Sequence, residues 1–385
     1  MKILHFSESS LPDWRIEKAA LTGLKNGHEV FFCGSNSDKY KRDFTIFSRI
    51  YNLTWTNYGM RGLPYYWHQV KKQFNKIIQE VKPDIIHAHN VMSAKMASEF
   101  KMSIVFDDHE YWDNYSKIRS ENYDNGSSDD KKLTTKLTLR RIIRETSRDF
   151  LIKYSNKLWV NWEKELVMLH PTITVSIQIA EELKKVGNTS NVFVVPNFPL
   201  QKEIVDIPNP QKHNKLSCVY AGIDKQRKKS LTFRDFSGLT DLFNSPDIET
   251  ELYFIGINGQ STTNVKYIDF LDRNDMFQEM SKHSIGLVPW KKHWSHSYLN
   301  PNKYSEYAHA GLYVLCTSSL KTISDTLQDN CMNFEDYDDL VSKLNYFQNH
   351  LDELYEKRLK IFKFARKNLL WENYEQNILN AYKLA

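Results

Sequence analysis

The sequence has few cysteines and no long apolar segment. Its 385 residues include four cysteines, Cys33, Cys218, Cys316 and Cys331, none spaced as CxxC. This argues against a disulfide scaffold or a zinc site and fits a reducing compartment. Three of the four lie in or beside apolar strand-like runs, which favours buried thiols. No apolar run approaches the roughly 18 residues of a membrane-spanning helix, and MKILHF is too short for a signal peptide.

The chain also has little net charge, because its basic and acidic residues nearly balance. The chain carries 52 Lys and Arg against 47 Asp and Glu, a net charge of +5. This small excess permits an anionic ligand or an acidic membrane surface, and we expect no nucleic-acid partner. The first loop lacks the glycines of GxGxxG, so a nicotinamide-type fingerprint is missing.

Strand-like runs alternate with amphipathic stretches along the whole chain. MKILHF, RIEKAALTGLKNG and EVFFCG predict a parallel β-α-β unit in which Gly27 ends the helix. The polar residues 116–132 predict a mobile loop before a long helix over about 133–169. Residues 199–215 predict a linker. The alternation then restarts at LSCVYAGI, with a further helix predicted over 231–244.

This alternation predicts an α/β protein with two doubly wound, Rossmann-like domains, residues 1–198 and 216–365, facing across a cleft. In such sheets ligands bind at the carboxyl ends of the strands. Polar residues that follow the predicted strands are therefore the candidates for a site.

The first candidate is NPNKYSEYAHAGLYVL, in which Asn300 caps a predicted helix, Pro301 starts it and Gly311 ends it. Lys303 and Glu306 share one face of this helix. Lys303 could hold a phosphate and Glu306 the hydroxyls of a ribose. A surface ion pair is the alternative.

The second candidate is AGIDKQRKKS, where a strand ends at Gly222 and a cation cluster follows. The cluster consists of Lys225, Arg227, Lys228 and Lys229. Cations at a strand-to-helix turn suit a pyrophosphate. A solvated basic loop is the alternative.

In the first domain, FDDHEYW ends a strand at Asp107, Asp108 and His109. His109 could donate a hydrogen bond or move a proton, or it could be structural. His87 and His89, at the preceding strand end, compete with it. The loop SLPDWR, with Asp13, Trp14 and Arg15, follows the first strand on the same side.

A basic stripe with leucines and isoleucines among its members predicts contact with anionic lipids or phosphates. It consists of Lys132, Lys136, Arg140, Arg144 and Arg148. A solvated outer helix face is the alternative. The literal DxD at Asp336–Asp338 is typical of helix capping, and we assign no metal to it.

Several stretches together resemble the retaining glycosyltransferases of family 4, which have the two-domain GT-B fold. They are MKIL, PDIIHAHN, FDDHE, TITVS, VVPN, CVYAGI, SIGLVPW and PNKYSEYAHAGLYVL, in the family's order over essentially the whole chain. The resemblance implies transfer of a sugar from a nucleoside-diphosphate sugar to an acceptor hydroxyl with retention, without a metal or further cofactor. It also implies that 366–385 packs back onto the first domain.

The resemblance also assigns roles. Glu306 would hold the ribose, and Arg227 and Lys228 the diphosphate, with Gly222, Asn302 and Lys303 completing the donor site. His109 would lie beside the transferred sugar, and Asp13–Arg15 would face donor phosphate or acceptor. The sequence departs from the family at Tyr298, where the first motif Glu is usual, at Ile223, where Arg is usual, and in lacking the Gly-Gly of the first loop.

Together with these residues, the resemblance implies a cytoplasmic glycosyltransferase of envelope polysaccharide, glycolipid or glycan synthesis, peripheral to the inner membrane face. Two alternatives stay open: a nucleotide-sugar epimerase or hydrolase on the same fold, and a non-catalytic module that binds anionic surfaces.

Overall fold

The computed structural model describes residues 1–35, 45–55, 64–130, 139–204, 206–222 and 232–385. The chain divides into two compact units, Met1–Pro196 with Tyr374–Ala385, and Asn197–Asn373. The end of the chain thus belongs to the first unit. There Glu375 Oε1 accepts hydrogen bonds from Thr22 and Lys25.

The first unit is built on a parallel sheet with strand order β3-β2-β1-β4-β5-β6-β7. Its strands are β1 (Lys2–Ser7), β2 (Glu29–Ser35), β3 (Arg49–Leu53), β4 (Ile85–His89), β5 (Ile104–Asp108), β6 (Thr172–Thr174) and β7 (Val192–Val194). Central strands such as β1 and β4 are covered on both faces, and all their residues except Lys2 are buried. The strand order reverses between β1 and β4, which is the switch point of a doubly wound sheet.

Helices cover this sheet. They are α1 (Trp14–Lys25), α2 (His68–Val81), α3 (Asn90–Ala97), α4 (Trp112–Asp130), α5 (Leu139–Leu169), α6 (Ile177–Gly187) and, at the end of the chain, α13 (Glu375–Leu384). Gly27 follows α1 with φ of 75°, which confirms the predicted end of that helix.

The predicted mobile loop over 116–132 is wrong, because α4 continues as a helix to Asp130. Trp112 and Ile118 are buried, and the Trp112 ring meets Trp159 of α5 edge-on, with 4.9 Å between ring centroids. This packing against a neighbouring helix outweighs the polar composition of the segment.

The second unit contains a parallel sheet with strand order β10-β9-β8-β11-β12-β13. Its strands are β8 (Ser217–Ala221), β9 (Glu251–Ile255), β10 (Val265–Ile268), β11 (Ile285–Val288), β12 (Tyr313–Thr317) and β13 (Cys331–Phe334). Its helices are α7 (Leu239–Phe243), α8 (Arg273–Ser281), α9 (Lys303–His309), α10 (Lys321–Leu327), α11 (Tyr337–Gln348) and α12 (Leu351–Asn368). The switch point lies between β8 and β11. The two sheets confirm the predicted pair of doubly wound α/β domains.

The predicted helix over 231–244 is wrong. The described part of this stretch holds a 3₁₀ turn at Thr232–Arg234 and then only α7. Gly238 precedes α7 with φ of 84°, a left-handed conformation that interrupts a helix and that glycine adopts without strain.

The cysteine prediction is confirmed: Cys33, Cys218 and Cys316 are buried free thiols, and Cys331 is half-buried. Among the described residues, no helix is both long enough and apolar enough to cross a bilayer.

Candidate functional site

Asp107, at the carboxyl end of β5, is the centre of a buried polar cluster in the first unit. Arg15 Nε lies 3.0 Å from both carboxylate oxygens, and its Nη2 donates to Oδ1 at 2.6 Å. Arg15 Nη1 donates to the carbonyl of Val195 at 2.7 Å. The guanidinium therefore connects α1 to the ends of β5 and β7. Only 5% of the Arg15 side chain is exposed to solvent.

The three residues of the predicted ligand loop have separate places. Asp13 caps α1, because its Oδ1 accepts from the backbone N–H groups of Arg15 and Ile16. Arg15 is engaged with Asp107, so its burial does not fit the predicted contact with a phosphate or acceptor. Trp14 is half exposed, at 49%.

Three histidines converge on Asp107 Oδ2. The distances are 3.4 Å from His87 Nε2, 3.3 Å from His89 Nδ1 and 3.4 Å from His109 Nε2. The structure thus brings together His109 and both of its competitors. His87 and His89 are completely buried, whereas 16% of the His109 side chain is exposed. Of the three rings, His109 is the one that a ligand can reach.

We assign the tautomers of His87 and His89 from their shortest hydrogen bonds. Tyr382 OH donates to His87 Nδ1 at 2.8 Å, which leaves Nε2–H directed at Asp107. His5 Nδ1–H donates to His89 Nε2 at 3.0 Å, which leaves the Nδ1–H of His89 directed at Asp107. His109 Nε2 lies 3.4 Å from the same carboxylate and 3.3 Å from His89 Nδ1, and its Nδ1 has no hydrogen-bond partner among the described residues.

Burial and charge support this assignment. Burial lowers the pKa values of His5, His87 and His89, so these rings are neutral near pH 7. Burial alone would raise the pKa of Asp107, but the Arg15 guanidinium together with His109 holds it well below its usual range. The cluster therefore contains an ionised Asp–Arg pair beside the neutral imidazoles of His5, His87 and His89.

Two groups of ligand atoms in this cluster lie close enough to hold a metal: His5, His87 and His89, and His89, Asp107 and His109. In the second group, Nδ1 of His89, Oδ2 of Asp107 and Nε2 of His109 are 3.3–3.4 Å apart. A tetrahedral zinc site with bonds of about 2.0–2.1 Å has edges of similar length. Hydrogen bonds already use these atoms, however, and the Arg15 cation lies against the carboxylate. We therefore assign no metal to either group.

Asp108, the last residue of β5, forms a second buried carboxyl pair with Glu163 of α5. Asp108 is fully buried and Glu163 of α5 is 2% exposed. Burial, reinforced by the neighbouring carboxyl, raises the pKa of Asp108 well above its usual range, and burial raises the pKa of Glu163 to about 8. Glu163 Oε1 accepts from the backbone N–H of Trp112 at 2.5 Å. One proton on this pair thus allows two carboxyls to be buried at the start of α4.

In the second unit, α9 is fastened to the end of β8. Lys303 Nζ donates to the carbonyl of Ala221 and lies 4.7 Å from the centroid of the Tyr220 ring. Tyr307 OH accepts from the N–H of Ala221 at 2.9 Å. A Cβ at Gly286 of β11 would lie 2.4 Å from ring atoms of Tyr307, so the tyrosine requires glycine there. These contacts place Lys303 against Ala221, the residue before Gly222.

The ends of α9 differ slightly from prediction. The helix begins at Lys303 with Asn302 as its N-cap, and no side chain caps it. The predicted cap, Asn300, instead accepts a hydrogen bond from Tyr304 OH at 3.0 Å. Gly311 has φ of 74°, which confirms the predicted end.

Glu306 pairs with a residue that sequence reasoning missed. Arg273 Nη1, at the start of α8, donates to Glu306 Oε1 at 2.9 Å. Arg273 Nε lies 2.9 Å from Oε1 of Glu203, a second missed residue. The side chains of Arg273, Glu203 and Glu306 are 21%, 10% and 16% exposed. Asp272, which caps α8 by accepting from Asp275 N–H, was the available signal that a helix begins at Arg273.

A cavity of about 410 Å³ lies at the carboxyl ends of β11, β12 and β13. Trp290, Thr317, Glu335 and Tyr337 are among the residues that line it.

Asp336 caps α11 by accepting from the N–H of Asp339, which confirms the capping prediction for the DxD.

Several predicted residues lie outside the described residues. They are Arg227 and Lys228, with Lys225 and Lys229 of the same cluster, and Lys132 and Lys136 of the basic stripe. Arg140, Arg144 and Arg148 fall within α5, but only the backbone is described there.

No protein-family model and no curated protein sequence matches this chain. Solved structures do match. Sucrose-phosphate synthase from Thermosynechococcus elongatus has a TM-score of 0.69 at 11% identity, over 100% of this chain and 98% of that one. Anabaena HepE in complex with UDP has a TM-score of 0.64 at 10% identity, over 100% of both chains. A putative UDP-N-acetylglucosamine 2-epimerase from Listeria monocytogenes has a TM-score of 0.59 at 12% identity, over 99% and 95%. This likeness shows a shared fold, the two parallel-sheet domains of the GT-B class.

Proposed function

We propose that this protein is a retaining glycosyltransferase of family 4, which transfers a sugar from a nucleoside-diphosphate sugar to an acceptor hydroxyl. The observation that carries the proposal is the position of Glu306. Its carboxylate lies at the carboxyl edge of the second sheet, held through Oε1 by Arg273. Its Oε2 accepts no hydrogen bond from the described residues and so is available to hydroxyls. Neighbours of the same fold include a structure bound to UDP.

In this proposal the second unit holds the donor. Glu306 accepts hydrogen bonds from the ribose hydroxyls, since an ionised carboxylate is an acceptor at both oxygens. Lys303 has three N–H donors, so it can hold the Ala221 carbonyl and a phosphate oxygen together. Gly222 and Asn302 flank it, and Arg227 and Lys228 would neutralise the rest of the diphosphate.

The first unit would act on the transferred sugar through His109. Its Nε2 faces Asp107, so the Nδ1 side of the ring would be the one that meets a hydroxyl of the sugar. The leaving diphosphate would be stabilised by fixed cations, so we propose that the reaction needs neither a metal nor a further cofactor. The expected result is that activity survives dialysis against EDTA.

A peripheral contact with an anionic membrane is a further part of the proposal. Phe150, Leu151 and Tyr154 of α5 are exposed at 67%, 46% and 48%. They follow Arg140, Arg144 and Arg148 on the same helix, and basic residues beside exposed apolar ones are typical of membrane-surface helices. An acceptor in envelope polysaccharide, glycolipid or glycan synthesis and a cytoplasmic location would accord with this surface and with the free thiols.

A nucleotide-sugar epimerase or hydrolase is the second candidate function, because one neighbour of the same fold carries an epimerase description. Incubation of the protein with donor alone separates the two. A transferase should leave nearly all donor intact, whereas an epimerase or hydrolase should convert it without an acceptor.

The test begins with a thermal-shift screen of nucleoside diphosphates and their sugars. A ligand that binds only the folded protein stabilises it by RT ln(1 + [L]/Kd), so a donor should raise Tm with concentration. Candidate acceptors follow with the selected donor, and NMR of the product gives the anomeric configuration. Absence of any shift across the screen would contradict the proposal.

A further inference from the structure

We propose that Arg273 is a positioning residue that confers recognition of the ribose hydroxyls by Glu306. The inference rests on the proposed function and deepens it. Arg273 itself would touch neither ribose nor phosphate. Its guanidinium would fix the Glu306 carboxylate so that one oxygen faces the ribose of a nucleoside diphosphate.

The first support is that the two oxygens of the Glu306 carboxylate have different surroundings. Oε1 takes the hydrogen bond from Arg273 Nη1 at 2.9 Å. Among the described residues, none donates to Oε2. A carboxylate held at one oxygen keeps a single orientation in the free protein. Binding of the ribose then costs less side-chain entropy, because the Glu306 side chain is already ordered.

The second support is that Arg273 is itself held in place. Its Nε lies 2.9 Å from Glu203 Oε1, while Glu203 Oε2 accepts from the N–H of Leu200 at 2.6 Å. The Arg273 Cζ lies 5.2 Å from the centroid of the Phe277 ring, one helical turn further along α8. The guanidinium is thus located by a carboxylate, an aromatic ring and the start of a capped helix.

The third support is charge. Glu203 and Glu306 are two carboxylates, each at most 16% exposed, that share one guanidinium. The planar guanidinium of arginine reaches both carboxylates at 2.9 Å, which the single ammonium of lysine cannot reproduce with the same geometry. Arg273→Lys therefore keeps the charge and removes the bridge between the two carboxylates.

The experiment compares calorimetric affinities for UDP, GDP and ADP with those for their 2′,3′-dideoxy forms. In the wild type we expect the dideoxy form of the bound nucleotide to bind at least about tenfold more weakly, since it lacks the hydroxyls that Glu306 would accept. Arg273→Lys should weaken the ribonucleotide by about tenfold and leave the dideoxy form nearly unchanged, so that the ratio approaches one. A purely structural role would weaken both forms equally.

Four further variants complete the test. Glu306→Gln should lose the same discrimination, and adding Arg273→Lys to it should have no further effect on the ratio. Glu203→Gln should give a smaller change in the same direction. Lys282→Met, which removes an exposed cation paired with Glu279 at the end of α8, is the matched control and should behave like the wild type.

The outcomes separate the two levels of the proposal. If the wild type binds none of the diphosphates, the proposed function and this inference are both overturned. If the wild type discriminates, Glu306→Gln abolishes discrimination and Arg273→Lys retains it, the inference fails while the proposed function stands.

Discussion

Arg15 and Asp107 form a buried ion pair, in which the Nε and Nη2 edge of the guanidinium faces the carboxylate at 2.6–3.0 Å. The side chains are 5% and 2% exposed. Four side chains approach the same oxygen of Asp107: Arg15, His87, His89 and His109. One acid thus both balances a buried cation and sets the orientation of the ring that a ligand can reach.

Asp107→Asn is expected to destabilise the fold strongly. The substitution leaves the Arg15 guanidinium buried without its anion, and breaking a buried pair typically costs about 3–5 kcal/mol. Urea unfolding at pH 7 measures the change. Asp113→Asn breaks the exposed pair with Lys117 instead and should cost at most about 0.5 kcal/mol. Arg15→Met combined with Asp107→Asn should recover part of the loss, and equal losses in Asp107→Asn and Asp113→Asn would contradict the assignment.

Glu163→Gln is expected to flatten the pH dependence of stability. Burial raises the pKa of Glu163 to about 8 and that of its neighbour Asp108 well above its usual range. The folded pair therefore keeps a proton that the unfolded chain releases near pH 4.5. Its contribution to stability is present below that pH and is lost as pH rises towards about 8.

The measurement is the free energy of unfolding in urea at pH 5, 6.5 and 8. For one proton the wild-type slope from this pair is at most about 1.4 kcal/mol per pH unit, and Glu163→Gln should show a smaller slope. Glu165→Gln, an exposed carboxyl on the same helix paired with Lys95, should keep the wild-type slope. Parallel slopes in all three proteins would rule out the shared proton.

The sequence predicts the interior strands well, because strands that are buried on both faces need mostly apolar residues, and such short runs can be recognised locally. CVYA is an apolar run of strand length, and DIIHAH places two buried histidines among apolar residues; both are strands. Two strands were missed, Arg49–Leu53 and Cys331–Phe334. They lie at sheet edges, where partly exposed positions accept polar residues and the apolar run is lost. The helix through 116–130 depends on packing against α5, which local composition does not encode.

The candidate site divides in the same way. Lys303 and Glu306 are three residues apart on one helix, so their shared location was predictable from spacing. Arg273 is 33 residues from Glu306, and Arg15 is 92 residues from Asp107. Such partners meet only through the fold, and no periodicity in the chain marks them.

The double substitution Phe150→Ser and Tyr154→Ser is expected to weaken membrane association. The two rings stack with 6.1 Å between centroids and are largely exposed, so they can be replaced without opening the core. Co-sedimentation with vesicles that contain anionic phosphatidylglycerol should fall several-fold, since each exposed aromatic contributes apolar area to the interface. Phe270→Ser removes a residue of comparable exposure, 68%, from the other unit and should leave binding unchanged. Equal binding by all three proteins would refute the contact.

Glu306→Gln is expected to raise the donor KM by about tenfold or more, or to abolish turnover, because an amide offers one acceptor oxygen in place of a charged pair. The fold should persist, since Arg273 keeps its second carboxylate, Glu203. Thermal unfolding checks that expectation, and initial rates against donor concentration give KM and kcat. Glu353→Gln, which neutralises an exposed carboxyl paired with Lys357 on α12, should leave both constants unchanged. Wild-type kinetics in Glu306→Gln would remove this carboxylate from the donor site.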